Sequence, residues 1–325
     1  MILQTQISLK KEQYNPISYD SKILLLGSCF SENIGDKLAY YKFQSNQNPF
    51  GILFHPKAIE TLITNAINEK EYTDKDIFFL NERWHCFDAH SSLSFPNKEE
   101  LLNTLNQQIK STNKQLHEAT HIIITLGTSW IYRFIESDTV VANCHKVPQK
   151  KFLKEILSVQ EITASLENVL SLIKSINKKI TITFTVSPVR HLKDGFIENQ
   201  QSKSHLLTAI HQVIEVRNRI HYFPSYEIVM DELRDYRFYE EDMIHPNKTA
   251  INYIWEKFVD SWILEKSLKT MKEIETIQKG INHKPFNPQS EQHQEFLKNL
   301  KQKISQIKEQ HSFIKFDNYP SLKRI

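Results

Sequence analysis

Residues 22–31 read Lys22-Ile23-Leu24-Leu25-Leu26-Gly27-Ser28-Cys29-Phe30-Ser31. Lys22–Leu26 is a short, continuous apolar run that stops at a glycine, the pattern of a buried parallel strand ending in a tight turn. Phe30, Ile34, Leu38 and Tyr41 then recur at helical spacing. The segment is therefore a strand, a turn and a helix, with the Cys29 thiol at the tip of the turn. The same pattern repeats downstream. His121–Leu126 (HIIITL) runs into Gly127, and Lys179–Val186 (KITITFTV), rich in β-branched residues, runs into Ser187-Pro188. Tyr226–Met230 (YEIVM) reads as a fourth strand. Helices are expected at Phe54–Ile67, Leu101–Ile109, Glu155–Ile176 and Ser202–His221, with Asn247 capping another through Trp262.

Apolar strands alternating with helices predict an α/β fold on a doubly wound parallel sheet. In such sheets ligands sit outside the carboxyl ends of the strands, so the polar residues after Leu26, Leu126 and Val186 should share one crevice. Beyond about Leu268 the character changes. Pro285 and Pro288 interrupt the chain, and Phe296, Leu297, Leu300, Ile304 and Ile307 then share a helical face. We expect residues 1–267 to form the α/β domain. Residues 268–325 should form a helical appendage packed onto that domain or onto a second copy of the chain.

Composition narrows the function. The 325 residues carry a net charge of +3, without a basic stripe of the kind that follows nucleic acid. The excess is local, because the segment from His283 to Ile325 carries eight Lys/Arg against four Asp/Glu and the rest of the chain is slightly acidic. No run approaches a membrane span, and the first residues lack a signal-peptide pattern. Cys29, Cys86 and Cys144 are an odd number without close pairing, which fits free thiols in a reducing, cytoplasmic setting. Only six glycines occur, against about 23 at ordinary usage, and Gly27, Gly51 and Gly127 all fall at turns.

Four motifs carry chemistry. At a helix N-terminus Cys29 would gain backbone N–H donors and a stabilised thiolate; read blandly, it is a small buried hydrophobe. Asp242-Met243-Ile244-His245 sets a carboxylate three residues before a histidine, as an orienting acid and a general base require; otherwise it is a helix-start Asp beside a surface His. Gly127-Thr128-Ser129 follows a strand and offers hydroxyls and N–H groups to an oxyanion, or merely begins the next segment. Asn48-Pro49-Phe50-Gly51 is a turn in which Gly51 N–H could be a second oxyanion donor and Asn48 could position substrate. Ser28 and Ser31 are rival nucleophiles, with Ser31 better suited to packing or capping. His90, within Trp84–Ser91, and His145, within Asn143–Lys146, are placed at the crevice mouth or in a polar hairpin. Arg190 is either an anion-binding fork or a surface arginine.

KILLLGSCFSENIG, NPFGILFHP, TLGTSWIY, VANCHKVP, TVSPVRHLKDG and DMIHPN, in that order, resemble the GSCFA-domain family. Ser31 stands where the eponymous motif has alanine. The family resembles the SGNH/GDSL hydrolases, which implies a three-layer α/β/α, flavodoxin-like fold. By that resemblance Cys29 takes the place of the nucleophilic serine, Gly51 that of the oxyanion glycine, and Asp242 with His245 that of the Asp-x-x-His pair. Ser129 replaces the asparagine of Gly-x-Asn.

The resulting expectation is a Cys-His-Asp hydrolase or acyltransferase without cofactor or metal. It would act on a small-molecule or glycan ester, such as an acylated sugar or envelope precursor. A thiolate attacks and leaves well, so transfer to an acceptor suits it as readily as hydrolysis. Two alternatives stand beside it: an inactive SGNH-like binding module, and a zinc protein using His85, Cys86, His90, Cys144 and His145.

Overall fold

The computed structural model describes residues 5–316. Its centre is a five-stranded parallel sheet of β1 (Lys22–Gly27), β2 (Gln44–Gln47), β5 (His121–Leu126), β9 (Thr181–Val186) and β10 (Ile220–Tyr222), in the spatial order β2-β1-β5-β9-β10. The register sets Leu24 beside Ile122 and Ile122 beside Ile182. Alternate side chains of these buried strands serve different cores. Leu24, Leu26, Ile122, Ile124, Ile182 and Phe184 pack with α2 (Pro56–Ile67), α3 (Lys98–Glu118), α4 (Val159–Ile176) and α5 (Phe196–Val213). Ile23, Leu25 and Ile123 face the other way, against α1 (Cys29–Tyr40) and α7 (Lys248–Trp262). The result is the expected three-layer α/β/α sandwich in flavodoxin-like order. The order reverses between β1 and β5, so Cys29 and Gly127 both stand at the switch point where such sheets take ligands.

Two small antiparallel sheets sit on this frame. β3 (Ile77–Leu80) pairs with β4 (Arg83–Cys86), and β6 (Trp130–Phe134) lies between β7 (Thr139–Val141) and β8 (Phe152–Ile156). Helices α8 (Glu265–Ile281) and α9 (Glu291–Gln310) bring Met271, Ile274, Ile277, Leu300, Ile304 and Ile307 into the same core as Leu38 and Trp255. The appendage thus covers a face of its own chain. Residues 317–325 of the basic tail lie outside the described residues. Among the described residues no helix is long and apolar enough to cross a membrane.

Three expectations need correction. Tyr226–Met230 is not a strand. Ser225–Glu227 forms α6, which continues as a π-helical turn over Ile228–Leu233, and Ile228, Val229 and Leu233 are buried against α7. The outer strand is instead Ile220–Tyr222, paired with Ile182–Phe184, and it ends the helix expected to run through His221. Glu155 and Ile156 belong to β8, because Ser158 and Glu161 form a capping box that starts α4 only at Val159.

Candidate active site

The turn after β1 is built around backbone crowding. Gly27 has φ +138°, and a Cβ there would lie 2.1 Å from the Thr125 carbonyl oxygen of β5. Ser28 N–H donates to that same oxygen at 3.1 Å. The Ser28 hydroxyl caps α1 by accepting from Phe30 N–H at 3.2 Å, and the Ser31 hydroxyl donates to Leu26 O at 3.2 Å. Both hydroxyls are buried and committed to the turn, whereas Cys29, the first residue of α1, is half-buried. Its thiol is nevertheless pushed up from its ordinary pKa. Burial is the main cause, and the Glu32 carboxylate one helical turn on adds to it. The N–H groups of Cys29 and Phe30 and the Lys203 ammonium pull the other way and do not prevail. The helix terminus therefore stabilises the thiolate as expected, but in the free protein desolvation outweighs it.

Asp242 and His245 form a dyad at the same end of the sheet. The Asp242 carboxylate accepts from His245 Nδ1 at 2.7 Å, and its other oxygen accepts from the backbone N–H groups of Ile244 at 2.8 Å and His245 at 3.0 Å. These donors, the His245 backbone N–H foremost, hold the carboxyl down at about 2. The carboxylate thus fixes the tautomer that leaves Nε2 as the ring's acceptor. Side chains of both residues are about half exposed, at 49% and 45%. Glu240 N–H donates to His245 O at 2.8 Å and closes the loop. Among the described residues no hydrogen bond joins the Cys29 sulfur to this ring.

The dyad loop is docked on the segment that follows β9. Arg190 N–H donates to Ile244 O at 3.2 Å, and its guanidinium donates to Met243 O at 3.3 Å. The guanidinium also lies over the rings of Phe196, Tyr236 and Tyr239 at 5.6, 5.5 and 5.3 Å. Arg190 is thus neither a free anion fork nor an idle surface arginine. It ties the His245 loop to the sheet. Exposed Phe196, Ile197, Tyr236 and Met243 give this side of the crevice an apolar rim.

Two residues to which sequence reasoning assigned no role, Lys203 and His191, lie between these parts. Lys203 is 1% exposed, and its ammonium donates to Gly127 O at 2.6 Å and Ser187 O at 2.7 Å, joining the ends of β5 and β9. Its charge acts on Cys29 and on His191. His191 feels both Lys203 and His245, and its buried Nε2 has no hydrogen-bond partner. Burial, then those two charges, depress its pKa to about 3, so the ring is neutral. A signal for Lys203 exists in the sequence. It shares the helical stripe of Ser202, Leu206, Ala209, Ile210 and Val213, where an unpaired lysine is out of place.

Other expected site residues are already engaged. Asn48 accepts from Gly27 N–H at 2.9 Å and donates to Glu32 at 3.3 Å, so it braces the Cys29 turn. Gly51 N–H is spent on Asn48 O at 2.8 Å and is not a free oxyanion donor. Gly127 donates to Phe54 O at 2.7 Å and accepts from Lys203. Thr128 and Ser129 are buried against Ser202 of α5: the two hydroxyls of Thr128 and Ser202 bond at 2.9 Å, and Ser129 N–H donates to Ser202 at 2.7 Å. The Ser129 hydroxyl therefore does not face the crevice. His90 lies against Gly51, its Nδ1 bonded to Ser92 at 3.0 Å. His145 is buried, with Nε2 on Cys86 O at 2.7 Å and its ring 4.8 Å from that of His85. It belongs to the packing of the β3–β4 hairpin rather than to the crevice mouth. Among the described residues no group of three or more His, Cys, Asp or Glu is placed to hold a metal ion, so the zinc reading finds no support.

The molecule is thus an α/β/α sandwich with a thiol and an Asp–His dyad at the carboxyl end of its parallel sheet. The chain belongs to the GSCFA family, whose model matches residues 22–258, and the model of the GSCFA domain protein, C-terminal domain, matches residues 274–319. No curated protein matches its sequence. Among solved structures it is similar to an acetyl esterase mutant with acetate ion, at 9% identity over 78% of this chain and 99% of that one, TM-score 0.36. It is similar also to a carbohydrate esterase family 3 from Talaromyces cellulolyticus, at 8% identity over the same shares, 78% and 99%, TM-score 0.36. Likeness this distant does not define a reaction.

Proposed function

We propose that the chain is an acyl-ester hydrolase or acyltransferase in which Cys29 is the nucleophile, His245 the general base and Asp242 the residue that orients it. The observation that carries this reading is the Asp242–His245 hydrogen bond of 2.7 Å on a loop tied through Arg190 to the end of β9. It leaves His245 Nε2 as an acceptor at the end of the sheet where Cys29 begins α1. In the first step the Cys29 sulfur attacks the ester carbonyl, and the thiol proton passes to His245 Nε2. The protonated ring then delivers that proton to the departing alkoxide, leaving an acyl thioester. Water or an acceptor hydroxyl, deprotonated by His245, attacks the thioester and regenerates the thiol. The raised pKa of Cys29 fits a proton removed during attack rather than a standing thiolate. Cys29 N–H at the helix start is the donor best placed for the oxyanion. The apolar rim suits an acyl or sugar face, and an O-acetylated sugar is the glycan substrate to try first.

A second reading, an inactive binding module, is favoured by the lack of a Cys29–His245 hydrogen bond and by the inward turn of Ser129. Turnover of activated acetyl esters, acetyl thioesters and O-acetyl sugars by the full chain decides between them. The enzymatic reading expects His245→Ala to lower kcat/KM by about 10²–10⁴ and Cys29→Ala to abolish turnover. Turnover that neither substitution changes, or none with any acyl donor, would count for the binding module.

A further inference from the structure

The chemistry proposed above leaves unused a cleft that adjoins both Cys29 and the dyad loop. It runs between α1 and the start of α7 and has a volume of about 360 Å³. Asn33, Asp36 and Lys37 line one wall, and Glu240, Lys248 and Asn252 line the other. One end of it meets both halves of the candidate site. Asn33, one turn after Cys29, donates from its side chain to Cys29 O at 3.4 Å. Pro246, which also lines the cleft, follows His245 directly in the chain, and Glu240 N–H donates to His245 O at 2.8 Å. From Asn33 to Tyr40, the last residue of α1, the wall is about 10 Å long at ~1.5 Å per residue. Lys37 and Asn252 bond to each other across the cleft, and both also border a second cleft of about 550 Å³ that continues toward α8.

The lining decides what such a cleft takes. Pockets for compact organic ligands are mostly apolar, with a few placed polar groups. This one presents charges of both signs with amide side chains between them. An apolar chain would leave those charges desolvated and unpaired. An anion would meet the carboxylates of Asp36 and Glu240, and a cation would meet the ammonium groups of Lys37 and Lys248. A neutral molecule whose hydroxyls both donate and accept satisfies all of them. Groups are free to bind it: among the described residues neither the Lys248 ammonium nor the Glu240 carboxylate bonds to another protein group. Lys248 is also the first residue of α7, at the positive end of the helix dipole, where its own helix disfavours a cation. The other side of His245 has the opposite character, an exposed apolar rim of Phe196, Ile197, Tyr236 and Met243.

We propose that the cleft between α1 and α7 is the subsite for the alcohol half of the ester, and that this half is a neutral sugar longer than one ring. The acyl group then lies toward the apolar rim, with Cys29 between the two. As the acyl–sulfur bond forms, the ester C–O bond breaks, and the sugar leaves through this cleft with the proton that His245 returns to its oxygen. The inference rests on the Cys29–His245 reading and adds the class and the place of the leaving group.

The test compares two acetyl esters, monoacetylated maltose and para-nitrophenyl acetate, on the full chain, on Lys248→Leu, on Asn252→Leu and on the double variant. Both esters deliver the same acetyl group, so damage to the fold or to the dyad is common to them and cancels in the ratio of their kcat/KM values. Each single substitution is expected to lower the sugar-to-aryl ratio about 3–10-fold, the loss of one hydrogen bond. An unmoved ratio in the double variant overturns the proposal. Cys29-dependent turnover of the aryl ester without turnover of the sugar ester also overturns it, and leaves the enzymatic reading standing. If neither ester is turned over, that reading fails, and the cleft is judged on binding alone, by saturation-transfer NMR of maltose. Transfer that the double variant abolishes keeps the cleft as a sugar site. Transfer that is absent, or that the substitutions leave unmoved, ends it.

Discussion

Gly27→Ala is the substitution whose cost can be worked most directly from the geometry that presents Cys29. The residue has φ +138°, a region L-residues avoid, and strain of this kind costs about 1–3 kcal/mol. The new Cβ would stand 2.1 Å from Thr125 O, 2.8 Å from Thr125 C and 2.9 Å from Thr125 N. All three are backbone atoms of a central strand and cannot rotate aside, so β1 and β5 must separate locally, an overpacking cost of about 1–3 kcal/mol. The Ser28 N–H bond to Thr125 O, 3.1 Å long, would be lost with them, at about 1 kcal/mol. The sum is roughly 3–7 kcal/mol, a large part of the ~5–15 kcal/mol that holds a typical domain. Gly35→Ala is the control. Its Cβ would meet the Gln47 side-chain amide, which can swing away from its bond to Asp36, and Gln47 Cβ at 3.2 Å, which must give slightly; alanine gains about 1 kcal/mol of helix propensity, so the net change should stay within about 1 kcal/mol. Urea unfolding followed by far-UV circular dichroism measures both. A Gly27→Ala loss below about 1 kcal/mol, or one no larger than that of Gly35→Ala, would refute the reasoning.

Asp242→Asn keeps the loop's size but removes the carboxylate that fixes the ring tautomer, and kcat/KM on an activated ester should fall by about 10²–10⁴ with the unfolding midpoint unchanged. Arg190→Ala should lower kcat/KM by about 10–100-fold while the chain stays folded, because the His245 loop loses its side-chain anchor on Met243 O and three ring contacts. His55 is fully buried, with Nδ1 accepting from Ala58 N–H at 3.1 Å and its pKa depressed to about 4. Its unfolded pKa is near 6.5, so between those values the unfolded chain binds a proton that the native chain refuses. Stability should accordingly be intact above about pH 6.5 and fall as pH drops, by about 2 kcal/mol at pH 5 for this residue alone, read from urea midpoints.

Much of the frame was legible because its signals are local. Runs such as Leu24–Leu26 and Ile122–Leu126 are buried on both faces, which only central parallel strands require, and each ends at the turn its sequence announces. The outer strands were harder. Gln44–Gln47 is polar because it lies at an edge, and Ile220–Tyr222 is three residues long, too short for a period to show. Tyr226–Met230 misled because a short apolar run does not distinguish a strand from a buried helical turn. In the site, Cys29, Asp242 and His245 stand out as residue types beside strand or helix ends. The engagement of Asn48, Gly51, Ser129 and Arg190 is fixed by contacts between distant segments, which spacing does not encode. Lys203 went unnoticed for the opposite reason: its stripe is plain once α5 is drawn, but an isolated lysine in a polar stretch looks solvated.

The central claim is that Cys29 carries an acyl group delivered to it with the help of His245. Its most direct test is the intact mass of the full chain, quenched in acid seconds after mixing with an activated acetyl ester, followed by peptide mapping. The account predicts one acetyl group, on Cys29, in the unaltered chain, and little or none in His245→Ala over the same interval. Acetylation confined to surface lysines, or equal labelling of Cys29 with and without His245, would contradict it.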